Sequence, residues 1–189
     1  RRRRTTWRTT ASSTASTDSG PMAVPGFHRF KRAIFALLAL NLAFYALFGS
    51  ASELLDSAAW IVLLVLFEIE TAHGERLKPG GRLAIHLVRL AAAAGVLVAA
   101  VGYLRERQWL DALNTGLWIA VVVLLEIEVR FPLAVERRRR LFWAATGALY
   151  AALGALVLAW AWRGDWLDAW DAALWLTAFF AIELNVLER

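Results

Sequence analysis

Six long apolar segments alternate with short polar stretches along the chain, and none of them shows the period-two alternation of a half-buried strand. Leucine and alanine dominate the segments, which favours helices. Several segments approach the roughly 20 residues with which an α-helix crosses a bilayer core. The pattern therefore predicts six transmembrane helices. Their approximate bounds are Ala33–Phe48, Leu54–Ala72, Leu83–Leu104, Leu110–Phe131, Leu141–Trp162 and Trp166–Leu187.

The second, fourth and sixth segments are three copies of one sequence pattern, and they align without a gap. The tryptophans of the pattern are 58 and 57 residues apart (60 to 118 to 175), and so are its glutamates (68 to 126 to 183). The first, third and fifth segments match more weakly, with Tyr45, Tyr103 or Trp160 eight residues before each leading acid. The aligned sets are Glu53, Asp111 and Asp168; Asp56, Asn114 and Asp171; Trp60, Trp118 and Trp175; and Glu68, Glu126 and Glu183.

A fixed period of this size indicates a repeat architecture. We predict an all-α integral membrane protein whose membrane domain, residues 27–189, contains three tandem helical hairpins at about 27–75, 76–133 and 134–189. The simplest packing is a pseudo-threefold six-helix bundle, although a linear or irregular bundle would also satisfy the sequence. Residues 1–26 are rich in Arg, Ser and Thr, and we expect a disordered tail there. Met22 is the only methionine, so we expect the native chain to begin at that residue.

The composition supports a membrane location, because 59% of the residues are apolar and ten are tryptophan. Without cysteine, the chain has no disulfides and no thiolate metal sites. The net charge of +5 comes with no nucleic-acid-binding motif, and the basic residues cluster between apolar segments, as topology signals do. An amino terminus in the cytoplasm leaves only Arg105, Arg107 and Arg163 outside. We therefore expect a bacterial cytoplasmic membrane, with both termini cytoplasmic.

The aligned glutamates form the candidate ion or proton site. Each lies twelve residues past an aligned Asp or Asn, roughly 18 Å along the helix. An acid within the apolar region costs about 2–3 kcal/mol on insertion scales, so its repetition in three copies requires an explanation, and a proton or cation site is one. The alternative is a belt of structural ion pairs with Arg89, Arg32, Arg76 or Arg130. The candidate site residues are Glu68, Glu126, Glu183, Glu70, Glu128 and Arg89.

The other polar and aromatic positions have simpler interpretations. The acids and Asn114 that begin the even segments suit helix N-caps, and a cation-attracting vestibule is the alternative. The aligned tryptophans are predicted to be packing anchors, whereas Trp109, Trp143, Trp162, Trp166 and Trp170 suit the membrane interface. Asn41 is expected to make one interhelical hydrogen bond. Small residues, Gly95 with Gly102 and Gly147 with Gly154, predict close helix approach. The small-residue, tryptophan and acid positions are all in the printed sequence.

Two functions remain open. The first is a small proton- or cation-conducting or ion-coupled transport protein that uses the inner glutamates. The second is a non-catalytic structural or assembly subunit that packs against other membrane subunits or against itself. His28, His73 and His86 lack metal-ligand spacing, and the chain has no hydrolase, zinc or phosphate-binding motif. We therefore expect no enzyme, no metal and no cofactor, with the lipid bilayer as partner and no nucleic acid.

Overall fold

The computed structural model of the protein describes residues 27–73 and 78–187, with side chains described for 29–71, 73 and 78–180. The predicted tail and the predicted start at Met22 lie outside these ranges and stay predictions. Every regular element in the described part of the chain is an α-helix. The helices are α1 (Phe27–Phe48), α2 (Ala51–His73), α3 (Pro79–Glu106), α4 (Trp109–Arg130), α5 (Pro132–Arg137), α6 (Arg139–Arg163) and α7 (Trp166–Leu187).

All six predicted segments are helical, and the largest difference in extent is at the start of α1. Helix α1 begins at Phe27 rather than Ala33 and has 22 residues. The short helix α5 was not predicted, because it begins at a proline directly after an apolar segment. Pro132 lies in its first turn. A backbone N–H at that position would have no partner within the helix, so proline loses no hydrogen bond there, and its fixed φ suits a helix.

Four of the helices are long and apolar enough to cross a membrane, namely α1, α3, α4 and α6. Helix α2 has a comparable length of 23 residues but carries four acids, the first at Glu53 and the last at Glu70. The outer faces of the helices expose many large leucine, valine and phenylalanine side chains. An apolar exterior of this extent is what a surface in contact with lipid requires. The fold therefore suits a membrane protein.

The long helices pack in chain order. Each contacts the next along the chain, and α1 also contacts α7, so the bundle closes on itself. Neighbours run antiparallel: Tyr103 near the end of α3 reaches Asp56 near the start of α2, and Arg89 near the start of α3 pairs with Glu70 near the end of α2. Here we call the end at which α2, α4 and α7 begin the acidic end, and the opposite end the basic end.

The core is formed by α1, α4, α6 and α7, and α2 packs against it. Trp118 and Trp175 are buried there, and Trp60 packs against them from α2. The Trp60 and Trp175 rings lie 6.5 Å apart in an edge contact, and Trp118 lies 4.6 Å from the ring of Phe179. The predicted role of these three tryptophans as packing anchors is confirmed. Together, Trp60, Trp118 and Trp175 are called the tryptophan layer below.

Helices α2 and α3 approach each other closely at two glycines. A Cβ on Gly95 would touch the Cβ of Ala59 at 3.4 Å, and one on Gly102 would overlap the side chain of Ser52. The predicted role of these two glycines in close packing is confirmed. Gly147 and Gly154 have no neighbouring atom within 4 Å of such a Cβ, so the same prediction is wrong for α6. Their faces point away from the neighbouring helices.

Replacing Gly102 with alanine is expected to lower the free energy of unfolding by about 1–3 kcal/mol, the usual cost of overpacking. The new methyl group would displace Ser52, whose Oγ donates a 2.8 Å hydrogen bond to Glu106. Thermal unfolding in detergent, followed by circular dichroism, measures the change. The matched control is Gly147→Ala, which meets no neighbour and gains roughly 0.5–1 kcal/mol of helix propensity. Equal stability of the two variants would contradict the close approach of α2 and α3.

Candidate functional site

The inner glutamates make separate ion pairs. Glu68 pairs with Lys31 of α1, and Glu70 pairs with Arg89 of α3. Glu126 pairs with Arg130, one turn along its own helix. All three carboxylates are partly exposed at the basic end. Arg89 is therefore an ion-pair partner, as the ion-pair interpretation predicted. The partner that α1 supplies is Lys31 rather than the predicted Arg32.

The remaining members of the predicted site lie elsewhere. Glu128 lines a small groove between α4 and α6, beside Phe142 and Thr146. The side chain of Glu183 falls outside the described residues. Within the described part of the chain, no three His, Asp or Glu side chains are arranged to hold a metal ion. The structure thus distributes the described glutamates over several pairs, and their role in ion or proton binding stays a prediction.

A different aligned set converges at the acidic end. Asp56, Asn114 and Asp171, one from each of α2, α4 and α7, surround a central cavity whose other wall is the tryptophan layer. The cavity measures about 10 Å³, which is room for about one water-sized guest. The three residues occupy the same position of the repeated pattern. Three residues that were aligned in the sequence therefore line one cavity.

Asp56 is the most completely enclosed acid of this cavity. Its side chain is only 8% exposed, and its Oδ2 accepts hydrogen bonds from Thr115 Oγ1 at 3.0 Å and from the Tyr103 hydroxyl at 3.4 Å. Thr115 is fully buried. The second oxygen, Oδ1, is buried and has no hydrogen-bond partner among the described residues. One face of this carboxylate is satisfied by neighbouring helices, and the other is left open.

Asp171 is held from α1. Asn41 Nδ2 donates a 2.6 Å hydrogen bond to Asp171 Oδ1, and Asn41 is 2% exposed. The predicted interhelical hydrogen bond of Asn41 is therefore confirmed. The carbonyl oxygens of Asn41 and Asn114 are buried without a partner in the part of the chain that the structure describes. Around the cavity the unpartnered buried atoms of the described residues are thus mostly acceptors, and the Trp60 indole N–H is an unpartnered donor among them.

A second tier of acids surrounds the approach to the cavity. The carboxylates of Glu53, Asp111 and Asp168 interact electrostatically with one another, and we call these three residues the acidic vestibule. Tyr45 donates a 2.9 Å hydrogen bond to Asp168, and Gln108 Nε2 donates one of 3.3 Å to Glu53. The field of such a tier attracts cations towards the cavity.

The N-cap interpretation holds for one of the acids and fails for two. Ser50 and Glu53 form a reciprocal capping box, in which each side chain accepts a hydrogen bond from the other residue's backbone N–H. Asp56 and Asp171 are each the sixth residue of their helix. They lie beyond the first four free N–H groups, so neither caps a helix. Their carboxylates serve the interior of the bundle instead.

The sequence contained a signal for this site. Each aligned Asp or Asn stands four residues before an aligned tryptophan, and residues four apart share a helix face. Because the tryptophans were predicted to face the core, the residues one turn earlier had to face it too. The tyrosines aligned at positions 45 and 103 supply the hydroxyl donors. Tyr45, Tyr103 and their counterpart Trp160 are all buried.

No protein-family model, no curated protein and no solved structure matches this chain. The class of this protein is therefore inferred from its own sequence and structure. Four of the described helices are apolar enough to span a bilayer, and the other regular elements in the described part of the chain are also α-helices. These are the features of a polytopic helical membrane protein. What distinguishes this one is a polar cavity enclosed within the bundle.

Proposed function

We propose that this chain is a six-span protein of a bacterial cytoplasmic membrane that binds a proton or small cation inside a pseudo-threefold ring of three hairpins. The ion would then be conducted across the bilayer or coupled to transport. The observation that carries the proposal is the convergence of the buried Asp56 and the partly buried Asp171 on one cavity. In the proposed orientation the acidic end faces outwards and both termini are cytoplasmic.

Two arguments support spans at α2 and α7, in addition to the four most apolar helices. Helix α2 packs against both α1 and α3, and α7 against both α6 and α1. A helix that lay outside the membrane could not follow two spanning neighbours in this way. The charges of α2 are also accommodated, because Asp56 is enclosed in the bundle while Glu68 and Glu70 are ion-paired. Charges so satisfied are tolerated in membrane helices.

The energetic argument rests on the donors that reach the two acids. Asp56 receives hydroxyl groups of Thr115 and Tyr103, and Asp171 receives the amide of Asn41. These donors are all neutral. A carboxylate in a low-dielectric interior is costly unless a positive charge or a proton compensates it. Repeated acids placed in this way within a membrane domain indicate an ion or proton site.

The tryptophan layer closes the route below the cavity. Trp60 contacts Trp175, and Trp118 and Trp175 each contact Phe179, so aromatic rings pack across the described part of the bundle below the cavity. An ion that enters through the acidic vestibule would stop at Asp56 and Asp171. Passage requires the tryptophan layer to move, which is the behaviour of a gated or coupled transporter.

Ion flux into proteoliposomes tests the proposal. The purified chain is reconstituted, and proton uptake and radiolabelled sodium uptake are followed under an imposed gradient. The double variant Asp56→Asn with Asp171→Asn is expected to reduce flux at least tenfold. The matched control, Glu68→Gln with Glu126→Gln and Glu183→Gln, removes the three aligned glutamates and is expected to change flux less than about twofold.

Two outcomes would contradict the proposal in different ways. Loss of flux in the glutamate variant, with the aspartate variant unaffected, would indicate that the ion site lies at the basic end and not at the cavity. Wild-type protein without flux of either ion would remove transport altogether.

The ion pairs at the basic end favour a second candidate function, that of a non-catalytic structural or assembly subunit. Lys31 with Glu68 and Arg89 with Glu70 join neighbouring helices, as a packing role requires. Pull-down in mild detergent tests this candidate. Recovery of the same membrane proteins in stoichiometric amount would support it, and recovery of this chain alone would oppose it.

A further inference from the structure

We propose that the chain between α4 and α6 binds anionic phospholipids in preference to zwitterionic ones. The part concerned is residues 131–143, which include α5 and the start of α6, and we call it the basic segment. The proposal goes beyond ion transport and does not depend on it. It names a partner chemistry, a negatively charged phospholipid headgroup, and the surface that recognises it.

Connectivity places the basic segment at a membrane border. The two helices that it joins, α4 and α6, are both long and apolar enough to cross a bilayer. A short helix between two spans lies where the chain leaves the hydrocarbon core and re-enters it. Among the described elements, α5 packs only against α4 and α6, and none of its residues is buried. Helix α5 is therefore a peripheral helix of the bundle.

The apolar side chains of the basic segment lack protein cover. Leu133 is 87% exposed, and Phe131, Leu141 and Trp143 are each more than half exposed. Side chains of this kind at a membrane border insert between the headgroups and the upper acyl chains, and tryptophan favours that depth. These residues therefore give the basic segment a hold on lipid that a purely solvated loop would not have.

Four consecutive arginines, Arg137–Arg140, supply the charge. All four are exposed. Among the described residues, only Arg139 of the four makes an ion pair, a 4.0 Å contact with the exposed Glu136, and a surface pair of this kind contributes little. Four positive charges and one negative charge give the basic segment a net charge of +3. The last five residues of α4 add two acids and one arginine, which leaves +2.

The arginines and the apolar side chains share helix faces. Leu133 and Arg137 are four residues apart on α5, and Trp143 follows Arg139 by four residues and Arg140 by three on α6. Residues at these spacings are neighbours on a helix surface. Apolar anchors in the acyl boundary therefore hold guanidinium groups at the level of the lipid phosphates. The planar guanidinium binds two phosphate oxygens at once.

Charge and position together select the lipid. A zwitterionic headgroup carries an ammonium group, which a surface of net positive charge repels, whereas an anionic headgroup carries no compensating cation. Each arginine close to an anionic membrane strengthens binding about fivefold. Free phosphate would meet the same guanidinium groups but would leave Leu133 and Trp143 without a partner. The exposed apolar side chains thus favour a phospholipid over a soluble anion.

Quenching of Trp143 fluorescence by brominated lipid tests the proposal. The full-length chain is reconstituted into phosphatidylcholine vesicles that contain a small fraction of brominated phosphatidylglycerol, or the same fraction of brominated phosphatidylcholine. Subtracting the signal of the Trp143→Phe protein isolates Trp143 from the other nine of the ten tryptophans. We expect the apparent affinity at this position to be at least tenfold higher for phosphatidylglycerol.

Two sets of glutamine substitutions separate a local site from general charge attraction. The first set removes three arginines of the basic segment and is expected to reduce the lipid preference at least tenfold, namely Arg137→Gln, Arg138→Gln and Arg140→Gln. The matched control removes three positive charges at the acidic end and is expected to change the preference less than about twofold, namely Arg105→Gln, Arg107→Gln and Arg163→Gln. Leu133→Ser removes an apolar anchor and is expected to weaken binding severalfold.

Three results would overturn the proposal. Equal quenching by the two brominated lipids would refute selectivity. An equal loss of preference in the two arginine variants, with folding established by circular dichroism, would show that total charge rather than the basic segment attracts the lipid. Displacement by inorganic phosphate, at an ionic strength where sodium chloride has no effect, would identify a soluble anion as the ligand. The measurement uses no ion gradient, so its outcome is independent of the flux experiment.

Discussion

Replacing Trp118 with alanine is expected to lower the free energy of unfolding by about 3 kcal/mol, the cost of a large cavity in a packed core. Trp118 is 4% exposed, contacts Phe179 at 4.6 Å between ring centroids and joins α4 to the buried cluster of α1, α6 and α7. In lipid the unfolded reference is itself apolar, so lost packing contributes most of the change. Unfolding by sodium dodecyl sulfate, titrated into mild detergent, measures it.

The matched control for Trp118→Ala is Trp162→Ala on the surface. Trp162 is 93% exposed, so its removal leaves no internal cavity. We expect a change below about 0.5 kcal/mol in detergent, in the range of surface substitutions. If the two variants proved equally stable, the tryptophan layer would not be a packed core.

Thr115→Val is expected to destabilise the bundle by about 2 kcal/mol. The valine keeps the shape of the side chain but removes the hydroxyl that donates to Asp56 at 3.0 Å. A hydrogen bond to a buried charged group is worth roughly 1.5–3 kcal/mol, and its loss leaves the carboxylate with fewer donors. The same detergent unfolding assay measures the effect.

Thr177→Val provides the comparison for Thr115→Val. The Thr177 hydroxyl donates to the carbonyl oxygen of Ala173 in its own helix, at an exposed position. Its loss should change stability by less than about 0.5 kcal/mol. A Thr115 variant as stable as this control would show that Asp56 does not depend on α4.

The helices and the aromatic core could be predicted because their signals are local. Apolar length and composition define each helix, and the registered tryptophans indicate a shared face without reference to any neighbour. The capping box at Ser50 and Glu53 is equally local. By contrast, α5 escaped prediction because a proline at a first helical turn resembles a proline in a loop.

The site was harder to predict because burial depends on which helices meet. Asp56 and Glu68 are both acids of one helix. From the sequence alone, Glu68 was the more unusual of the two, because it lies at the far end of the predicted apolar segment. In the bundle Glu68 reaches Lys31 near the start of α1, whereas Asp56 points between α3 and α4 towards Tyr103 and Thr115. A long basic side chain can reach a partner at the rim, and that distinction requires the orientation of neighbouring helices.

The position that Asn114 shares with Asp56 and Asp171 bears on how such a molecule arises. A trimer of identical hairpins would have to place three equal acids around its axis, because one gene would encode all of them. Joining the hairpins in a single polypeptide removes that obligation. Each copy can then diverge, and the central cavity holds two carboxylates and one amide. In the proposed ring of hairpins, covalent linkage would thereby set the charge at the axis independently of the architecture.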